Sequence, residues 1–342
     1  MRPADRRCSA VFTSKVFVQF LSFFFNLLEP VFKLGQRWLG TSRLGWLFVG
    51  PNLIVFGLFT FLPILINLVY ATTGGVNLMP AQRPYTGAEN FQILFECRDY
   101  LDLSSCRKDV FWRAMFNTLK FSVLQVGLMV LFSLVTALVL NRKIIGRGFW
   151  RGVYFYPVLL SPVVVALIWK WLLQSQGVFN AGLVALDMPP VEWLTEGGWA
   201  FFWTVFVSIW AHMGFYTLIL LAGLQAIPGD LYEAAQMDRA SPMRTLTRIT
   251  LPLLMPNLIV VLVLAAIRAV QVFDEVFVLT GGGPGSATTF IVQFIYQTGF
   301  AEQIHLYGLA AAASLSLAVF LILLTLAQLR LTRASQAGQK VK

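Results

Sequence analysis

The chain has 342 residues, of which 57% are hydrophobic and only 12% are charged, about half the charged fraction of an ordinary soluble domain. A soluble globule of this size cannot bury so much apolar surface, and the mean hydropathy of +0.71 agrees. These values exclude disordered, collagen-like and disulfide-rich secreted proteins. They indicate an all-α integral membrane protein, because lipid offers no partner for unpaired backbone groups.

Long runs without charged residues predict six transmembrane helices. Each run is long enough to cross a hydrocarbon layer about 30 Å thick. In chain order the predicted spans cover residues 44–71, 121–141, 152–169 plus one further turn, 199–224, 249–267 with the helix continuing to 278, and 302–330. Local breaks or kinks are expected at four prolines, namely Pro51, Pro63, Pro157 and Pro162.

The distribution of charge along the chain predicts its orientation. Segments 1–43, 141–151, 225–250 and 330–342 together hold 18 Lys and Arg residues against 5 acids. The loops on the opposite side, 73–112, 174–200 and 278–304, hold 4 basic residues against 9 acids. Because Lys and Arg collect on the cytoplasmic side, both termini are predicted to be cytoplasmic. The net charge of +10 is then a topology signal, and we expect no nucleic-acid binding.

Residues 1–43 form a separate N-terminal segment. Its polar residues follow a helical spacing of four and three that runs from Lys15 to Lys33, between faces rich in Phe, Leu and Val. This pattern predicts a cytoplasmic amphipathic helix at the membrane interface. An uncleaved signal anchor is the alternative, since no small-residue cleavage site follows the apolar stretch. Residues 331–342 are predicted to form a cytoplasmic tail.

Cysteine and histidine are scarce. The three cysteines are too few for a disulfide framework, and His212 and His305 stand far apart, without a CxxC or HExxH pattern. No metal site or cofactor is therefore expected in this chain. Cys97 and Cys106 fall in the loop predicted to face away from the cytoplasm, where an oxidising environment lets disulfides persist, and we predict a disulfide between them.

The loop after the fourth predicted span, residues 226–252, is the segment that points to function. Pro228 and Gly229 end the preceding span, and we expect Asp230 to cap a short helix with Glu233 completing a capping box. Ser241-Pro242 ends that helix, and a second helix leads into the fifth span. A helix–turn–helix protruding on the positive side is predicted to dock a cytoplasmic partner.

This loop resembles the EAA loop of the membrane subunits of bacterial binding-protein-dependent ABC importers. The family pattern is Glu-Ala-Ala, three residues, Gly, nine residues, then Ile-x-Leu-Pro; here Glu233, Ala234 and Ala235 are followed at that spacing by Ile249-Thr-Leu-Pro252. Arg239 stands at the Gly position, where the family's turn uses the freedom of glycine to adopt positive φ. It must adopt ordinary backbone angles or accept strain.

Further segments resemble the carbohydrate branch of these permeases, the maltose and glycerol-phosphate type. They are Tyr85-Thr-Gly-Ala-Glu-Asn-Phe91, Asn117-Thr118, Val191-Glu-Trp-Leu194 and Val278-Leu-Thr-Gly-Gly-Gly-Pro-Gly-Ser-Ala-Thr-Thr289. The resemblance covers about residues 44–330 and implies a type I ABC importer permease fold with six transmembrane helices.

The resemblance also implies partners. In the family a second permease subunit, an ATPase dimer and a periplasmic solute-binding protein complete an importer in the inner membrane. ATP and Mg are bound by the ATPase, and no G-x-x-x-x-G-K-[ST] phosphate loop occurs in this chain. Contact with the ATPase would then involve Glu233, Ala234, Ala235, Asp238 and Arg239. The chain is thus expected to be a transport subunit and not an enzyme.

Polar residues inside the predicted spans are candidates for the solute path, since intramembrane charges are costly and often functional. The fifth span supplies Gln271, Asp274 and Glu275, with Gln271 and Glu275 expected on one helical face, and the fourth supplies Trp210, His212 and Tyr216. Structural capping or a place in the interfacial aromatic belt are the alternative roles. Arg268 would suit an anionic solute or a neighbouring acid.

Two other classes of membrane protein are alternatives to the importer. An ion-coupled secondary transporter would show inverted repeats and broken midplane helices, and a membrane enzyme would need a nucleophile, base or metal cluster; neither is evident in the sequence. The solute itself stays open among mono- and oligosaccharides, polyols, glycerol-phosphate and sulfonated sugars.

Overall fold

A computed structural model describes residues 44–340 except positions 101 and 143, so the predicted amphipathic helix within residues 1–43 lies outside the described residues. The helices are α1 Leu44–Phe56, α2 Leu62–Ala71, α3 Glu89–Phe95, α4 Asp109–Asn141, α5 Arg147–Phe155, α6 Pro162–Leu173, α7 Val178–Ala185, α8 Gly197–Gln225, α9 Gly229–Met237, α10 Pro242–Thr245, α11 Leu251–Val270, α12 Asp274–Leu279, α13 Ile291–Tyr296 and α14 Tyr307–Lys340. Wider helical turns link α1 to α2, α10 to α11, and α13 to the loop before α14.

Six helical stretches among the described residues are long and apolar enough to cross a membrane. They are Val49–Ala71, Asp109–Asn141, Pro162–Ala185, Gly197–Gln225, Pro242–Val270 and Tyr307–Arg330. Their order places the loops before α4, before α8 and before α14 on one face, here called the far face. The loop at 226–252, here called the Glu233 loop, lies on the opposite face.

Several span boundaries differ from the predicted ones. The second span begins at Asp109, twelve residues before the predicted start. The charged residues in its first turns have local partners. Asp109 pairs with Arg113 at 3.4 Å. The Lys120 ammonium lies over the rings of Phe116 and Phe201 at 5.1 and 5.8 Å. Charged residues at a helix end are therefore compatible with the span.

The third span is displaced toward the C-terminus. A tight helical turn at Tyr156–Leu159 ends α5, and Pro162 opens α6 at the first helical position, where proline is favoured. The crossing stretch is therefore Pro162–Ala185 and not 152–169. In the last span, α14 continues past Arg330 to Lys340, so the predicted tail begins as a helix.

The chain separates into two units, residues 1–67 and residues 68–342. In the described part of the first unit, Phe56 and Phe61 pack edge to face at 5.3 Å, where a wider helical turn precedes Pro63. The second unit holds the core. Its largest cluster joins α4, α8 and α11 through buried residues such as Phe121, Leu220 and Leu254.

Small residues bring the helices of the second unit close together, as is typical of membrane bundles. A Cβ placed on Gly214 of α8 would lie 2.2 Å from the carbonyl oxygen of Tyr154 in α5. A Cβ on Gly223 would lie 2.6 Å from the side chain of Asn257 in α11. The backbones of α5 and α8 therefore meet at contact distance at Gly214, whereas the space beside Gly223 is filled by side chains of α11.

A folded segment before α4 covers part of the far face. Cys97 and Cys106 are joined there by a disulfide, and Arg107 pairs with Glu96 beside it, with Nη1 at 2.9 Å from Oε2. The indole of Trp112 donates to the carbonyl of Leu94 at 3.0 Å. The segment is thus tied to itself and to the start of α4.

Thiol labelling tests this disulfide. In a Cys8→Ser background, only Cys97 and Cys106 remain to react. The unfolded chain should bind no maleimide without reductant and two equivalents after reduction, because a closed disulfide offers no thiolate. Two equivalents before reduction would show that the cysteines are free.

Candidate functional site

A cavity of about 360 Å³ lies where α11 ends and α12 begins, against α8. Its polar walls are Tyr216, Arg268, Gln271, Asp274 and Glu275, and its apolar walls include Phe215, Phe273, Leu264, Ile267 and Val272. Tyr216 lies nine residues before the end of α8, or about 14 Å at 1.5 Å per residue. The cavity therefore lies within the thickness of the membrane.

A chain of hydrogen bonds runs behind the cavity. The Ser208 hydroxyl donates to Glu275 Oε1 at 3.2 Å, and the Ser208 carbonyl faces His212 Nδ1 at 2.8 Å. A carbonyl only accepts, so Nδ1 carries the proton and Nε2 is free to accept. That Nε2 accepts from Arg268 Nη2, so a neutral His212 links α8 to Arg268. Arg268 is the only cationic side chain among the described residues that line the cavity.

The fifth span does not continue to residue 278 as predicted. Its helix ends at Val270, Gln271 takes the cap position, and α12 starts at Asp274 with two acids in its first turn. Carboxylates are favourable at a helix N-terminus, which accounts for a new start at Asp274. The prediction that Gln271 and Glu275 share one face of a continuous helix is therefore wrong, although both residues line the same cavity.

The structure separates Trp210 from the other candidates. Its ring packs against Trp169 of α6 with centroids 5.6 Å apart, in a cluster with Val207 and Ala211. It lines a different, open cleft beside Gly148 and Gly152 of α5. Five of the six candidates are thus brought together, Gln271, Asp274, Glu275 and Tyr216 in the cavity wall and His212 behind it.

Three residues of the cavity region were missed by sequence reasoning. Ser208 lies one helical turn before His212, and that spacing could have suggested a shared face. Phe215 and Phe273 flank Tyr216 and Asp274 in sequence, but an apolar residue in a membrane span carries no signal of its own. They matter because aromatic faces beside hydrogen-bonding groups suit a polyhydroxylated ring.

The glycine-rich loop after α12 forms a fixed frame. Gly281 and Gly282 have φ of +65° and +94°, a conformation that glycine adopts without strain. The Gly282 carbonyl accepts from the Thr289 hydroxyl at 3.1 Å, and Asn117 of α4 donates to the Ser286 carbonyl at 2.8 Å. These bonds tie α12, and with it Asp274, to α4.

The Glu233 loop forms two short helices, α9 and α10, as predicted. Ala235 is buried, whereas Glu233 and Ala234 are exposed, and the Tyr232 hydroxyl contacts Thr250 Oγ1 at 3.2 Å. Large apolar side chains are exposed around them, namely Leu231, Met237 and Met243. An exposed acid among exposed apolar side chains is typical of a surface that docks a protein.

The predicted capping box is not formed. Helix α9 begins at Gly229 after Pro228, without a side-chain cap, so Asp230 lies inside the first turn, where its charge still favours the helix dipole. Pro228 supplies an extended residue at the cap position, which accounts for the earlier start. Ser241 does cap α10, accepting from the Arg244 backbone N–H at 3.4 Å.

Arg239 accepts backbone strain at the end of α9. Its φ is +53°, the left-handed region. The N–H of Arg239 donates to the Gln236 carbonyl at 3.0 Å and the N–H of Ala240 to the Ala235 carbonyl at 2.9 Å. This pair of bonds is a Schellman motif, in which the left-handed residue is ordinarily glycine.

We therefore expect Arg239→Gly to stabilise the protein by about 0.5–1 kcal/mol, because a non-glycine residue in this region costs about 1–2 kcal/mol and glycine's extra freedom in the unfolded chain offsets part of it. Thermal unfolding in detergent measures the change. Asp238→Gly is the matched control, since Asp238 has an ordinary φ of −77° and should lose stability. Equal effects of the two changes would contradict the account.

Among the described residues, no group of three or more His, Cys, Asp or Glu side chains is placed to hold a metal ion. The cavity offers hydrogen-bond donors and acceptors beside aromatic rings. Such a lining suits the binding of a polar solute.

Comparisons with known proteins place this architecture in a family. Residues 111–336 match the family described as the binding-protein-dependent transport system inner membrane component. The chain is 38% identical to the trehalose/maltose transport system permease protein of Thermococcus litoralis, over 85% of this chain and 94% of that one. It is 33% identical to the sulfoquinovosyl glycerol transport system permease protein of Agrobacterium fabrum, over 76% and 82% of the two chains.

A solved structure agrees with the fold. In the crystal structure of a bacterial ABC transporter involved in the import of the acidic polysaccharide alginate, one chain matches with a TM-score of 0.73 and 27% identity, over 86% of this chain and 97% of that one. The predicted type I importer permease fold is thereby confirmed, and so is its multi-pass place in the membrane. None of these matches supports an ion-coupled carrier. The chain belongs to the family of binding-protein-dependent transport system inner membrane components, the permease subunits of ABC importers, in which ATP hydrolysis is carried by a separate ATPase.

Proposed function

We propose that this chain forms part of the import path for a sugar or sugar-like solute. The solute is delivered by a periplasmic binding protein, and ATP-driven closure of the ATPases switches the spans between two arrangements. The proposal is supported by the names of relatives, whose solutes are trehalose, maltose and sulfoquinovosyl glycerol. It is also supported by the cavity lining.

The observation that carries the proposal is the cavity beside the break between α11 and α12. Arg268, Gln271 and Tyr216 supply donors, Asp274 supplies an acceptor, and Phe215 and Phe273 supply apolar ring faces. A lining with charges of both signs is better suited to the many hydroxyls of a sugar than to a solute with a single charge. We assign Gln271, Asp274, Glu275 and Tyr216 to the solute path, with His212 positioning Arg268, and we leave Trp210 outside it.

The Glu233 loop is proposed as the contact with the ATPase dimer. Exposed Glu233 and Ala234, with Asp238 and Arg239 at the turn, would form the contact, while buried Ala235 holds α9 against the bundle. A second permease subunit would complete the path. Contact with the ATPase dimer would put the Glu233 loop and both termini on the cytoplasmic side, in agreement with the excess of Lys and Arg in those segments.

Substitution of Asp274 tests the cavity. Asp274→Ala should lower uptake about 10- to 100-fold, since one hydrogen bond to a charged group contributes about 1.5–3 kcal/mol. The assay uses proteoliposomes with the complete transporter and the binding protein loaded with the sugar that stabilises it best. Glu302→Ala is the control, an exposed acid on the same face outside the cavity, and it should leave uptake unchanged.

The ATPase content of the purified complex must stay the same in both variants. Normal uptake by Asp274→Ala with normal assembly would remove the cavity from the solute path and leave the family assignment intact.

A further inference from the structure

A second cavity, of about 400 Å³, lies on the far face, between the folded segment before α4 and the start of α14. Its polar lining consists of Arg83, Asn90, Arg107 and Lys108, beside the backbone of Gly74, Gly75 and Gly308. None of these residues belongs to the cavity at the α11–α12 break. The cavity therefore calls for an explanation of its own.

Arg83 is the unusual member of this lining. Arg83 is only 7% exposed, yet its hydrogen-bond partners are neutral. Nε donates to Thr73 Oγ1 at 2.9 Å, Nη1 to the Asn77 carbonyl at 2.8 Å and Nη2 to the Thr73 carbonyl at 3.2 Å. Within residues 44–340 as described, no carboxylate pairs with it.

The surroundings leave part of this guanidinium without a partner. A guanidinium has five N–H groups, and three are accounted for by these bonds. The rings of Tyr70 and Tyr307 lie 5.1 and 5.9 Å from its central carbon. Burial lowers the pKa of Arg83 below its usual range, and an unpaired buried charge is costly. An anion in the cavity would offset that cost.

The distribution of charge on the far face points the same way. Segments 73–112, 174–200 and 278–304 carry 9 acids but only four basic residues, Arg83, Arg98, Arg107 and Lys108. Three of these four line this one cavity. Arg107 is paired with Glu96, whereas Lys108 forms no ion pair with a described residue. A positive cavity is thus set in an acidic surface.

We propose that this cavity binds an oxyanion, that is, a carboxylate, phosphate or sulfonate group. The free N–H groups of Arg83 and the ammonium of Lys108 are its ligands, because charge-assisted hydrogen bonds to such groups are the strong ones. Asn90 is a positioning residue. Its amide donates to the carbonyls of Ala71 and Thr73 at 2.9 and 3.0 Å, which holds the Thr73 carbonyl that Arg83 contacts.

Thermal unfolding of the complete transporter in phosphatidylcholine nanodiscs tests the proposal. Sodium phosphate, sodium sulfate and sodium acetate are compared with sodium chloride at equal ionic strength. At concentrations well above the dissociation constant, we expect at least one oxyanion to raise the unfolding midpoint by about 2–4 °C. The increase should disappear in Lys108→Gln and persist in Lys108→Arg and in Arg98→Gln, a control with the same charge change outside the cavity.

The ATPase subunits also bind phosphate and can raise the midpoint by themselves. The deciding quantity is therefore the increase in unfolding midpoint in Lys108→Gln compared with the increase in Arg98→Gln. A second series in phosphatidylglycerol nanodiscs, without added oxyanion, distinguishes a lipid headgroup from a dissolved anion. A difference confined to that series assigns the anion to the lipid and supports the site. The proposal would be overturned if the oxyanions and the phosphatidylglycerol nanodiscs changed the unfolding midpoint of Lys108→Gln as much as that of Arg98→Gln.

Discussion

Glu233→Arg should abolish ATP-driven uptake and release the ATPase from the complex. Glu233 is exposed in the middle of α9, with Leu231 and Met237 exposed nearby. If this helix is the ATPase contact, the carboxylate becomes buried there, and reversing its charge leaves two unmatched groups in the interface. Truncating one partner of a buried charge pair costs about 2–5 kcal/mol, or roughly 30- to 5,000-fold in affinity.

Two measurements read out this prediction. Co-purification on a tagged permease gives the ATPase content, and proteoliposomes give the uptake rate. Glu302→Arg carries the same charge reversal on the far face and should retain both. An ATPase content equal to wild type in Glu233→Arg would show that the Glu233 loop is not the docking element, whatever the uptake rate.

Gly214→Ala should destabilise the folded protein by about 3 kcal/mol. A Cβ at this position meets the Tyr154 carbonyl oxygen at 2.2 Å and the Phe155 Cα at 3.1 Å. Both atoms belong to backbone, so no side chain can rotate away, and α5 and α8 must move apart. Overpacking of this kind typically costs 1–3 kcal/mol, and an obstruction made of backbone places this change at the upper end.

Gly127→Ala is the matched control for that change. Gly127 is also a helical glycine, in α4, but apart from its chain neighbours and the backbone of its own helix, no described atom lies within 4 Å of a Cβ placed there. Alanine is the better helix former by about 1 kcal/mol, so this variant should be as stable as wild type or more so. Free energies of unfolding in mixed micelles provide the comparison. Equal stability of the two variants would mean that α5 and α8 are not in contact at Gly214.

The sequence predicted the spans well because charge-free length is the property that the membrane selects. It failed at boundaries where a charge has a local partner, as Lys120 has in the rings of Phe116 and Phe201. It also missed the break at Gln271, since no glycine or proline marks that position. The conformation there depends on packing and on the acids at the start of α12.

The candidate site was predicted in part for a similar reason. Polar residues in a span stand out, so Gln271, Asp274 and Glu275 could be found from sequence. Which way an aromatic residue faces depends on the neighbouring helix, and Trp210 packs on Trp169 of α6 instead of facing the cavity. The Arg83 cavity could not be predicted from sequence, because some of its lining residues lie more than 200 positions apart.

The central claim is that this chain conducts a sugar-like solute only when a separate ATPase acts on it. The most direct measurement is uptake into proteoliposomes that contain the permease pair and the ATPase dimer, with the solute-loaded binding protein outside and ATP inside. The account predicts that uptake stops when ATP or the binding protein is omitted, and that it is unchanged by ionophores that collapse ion gradients. Uptake without the ATPase, driven by an imposed ion gradient, would contradict it.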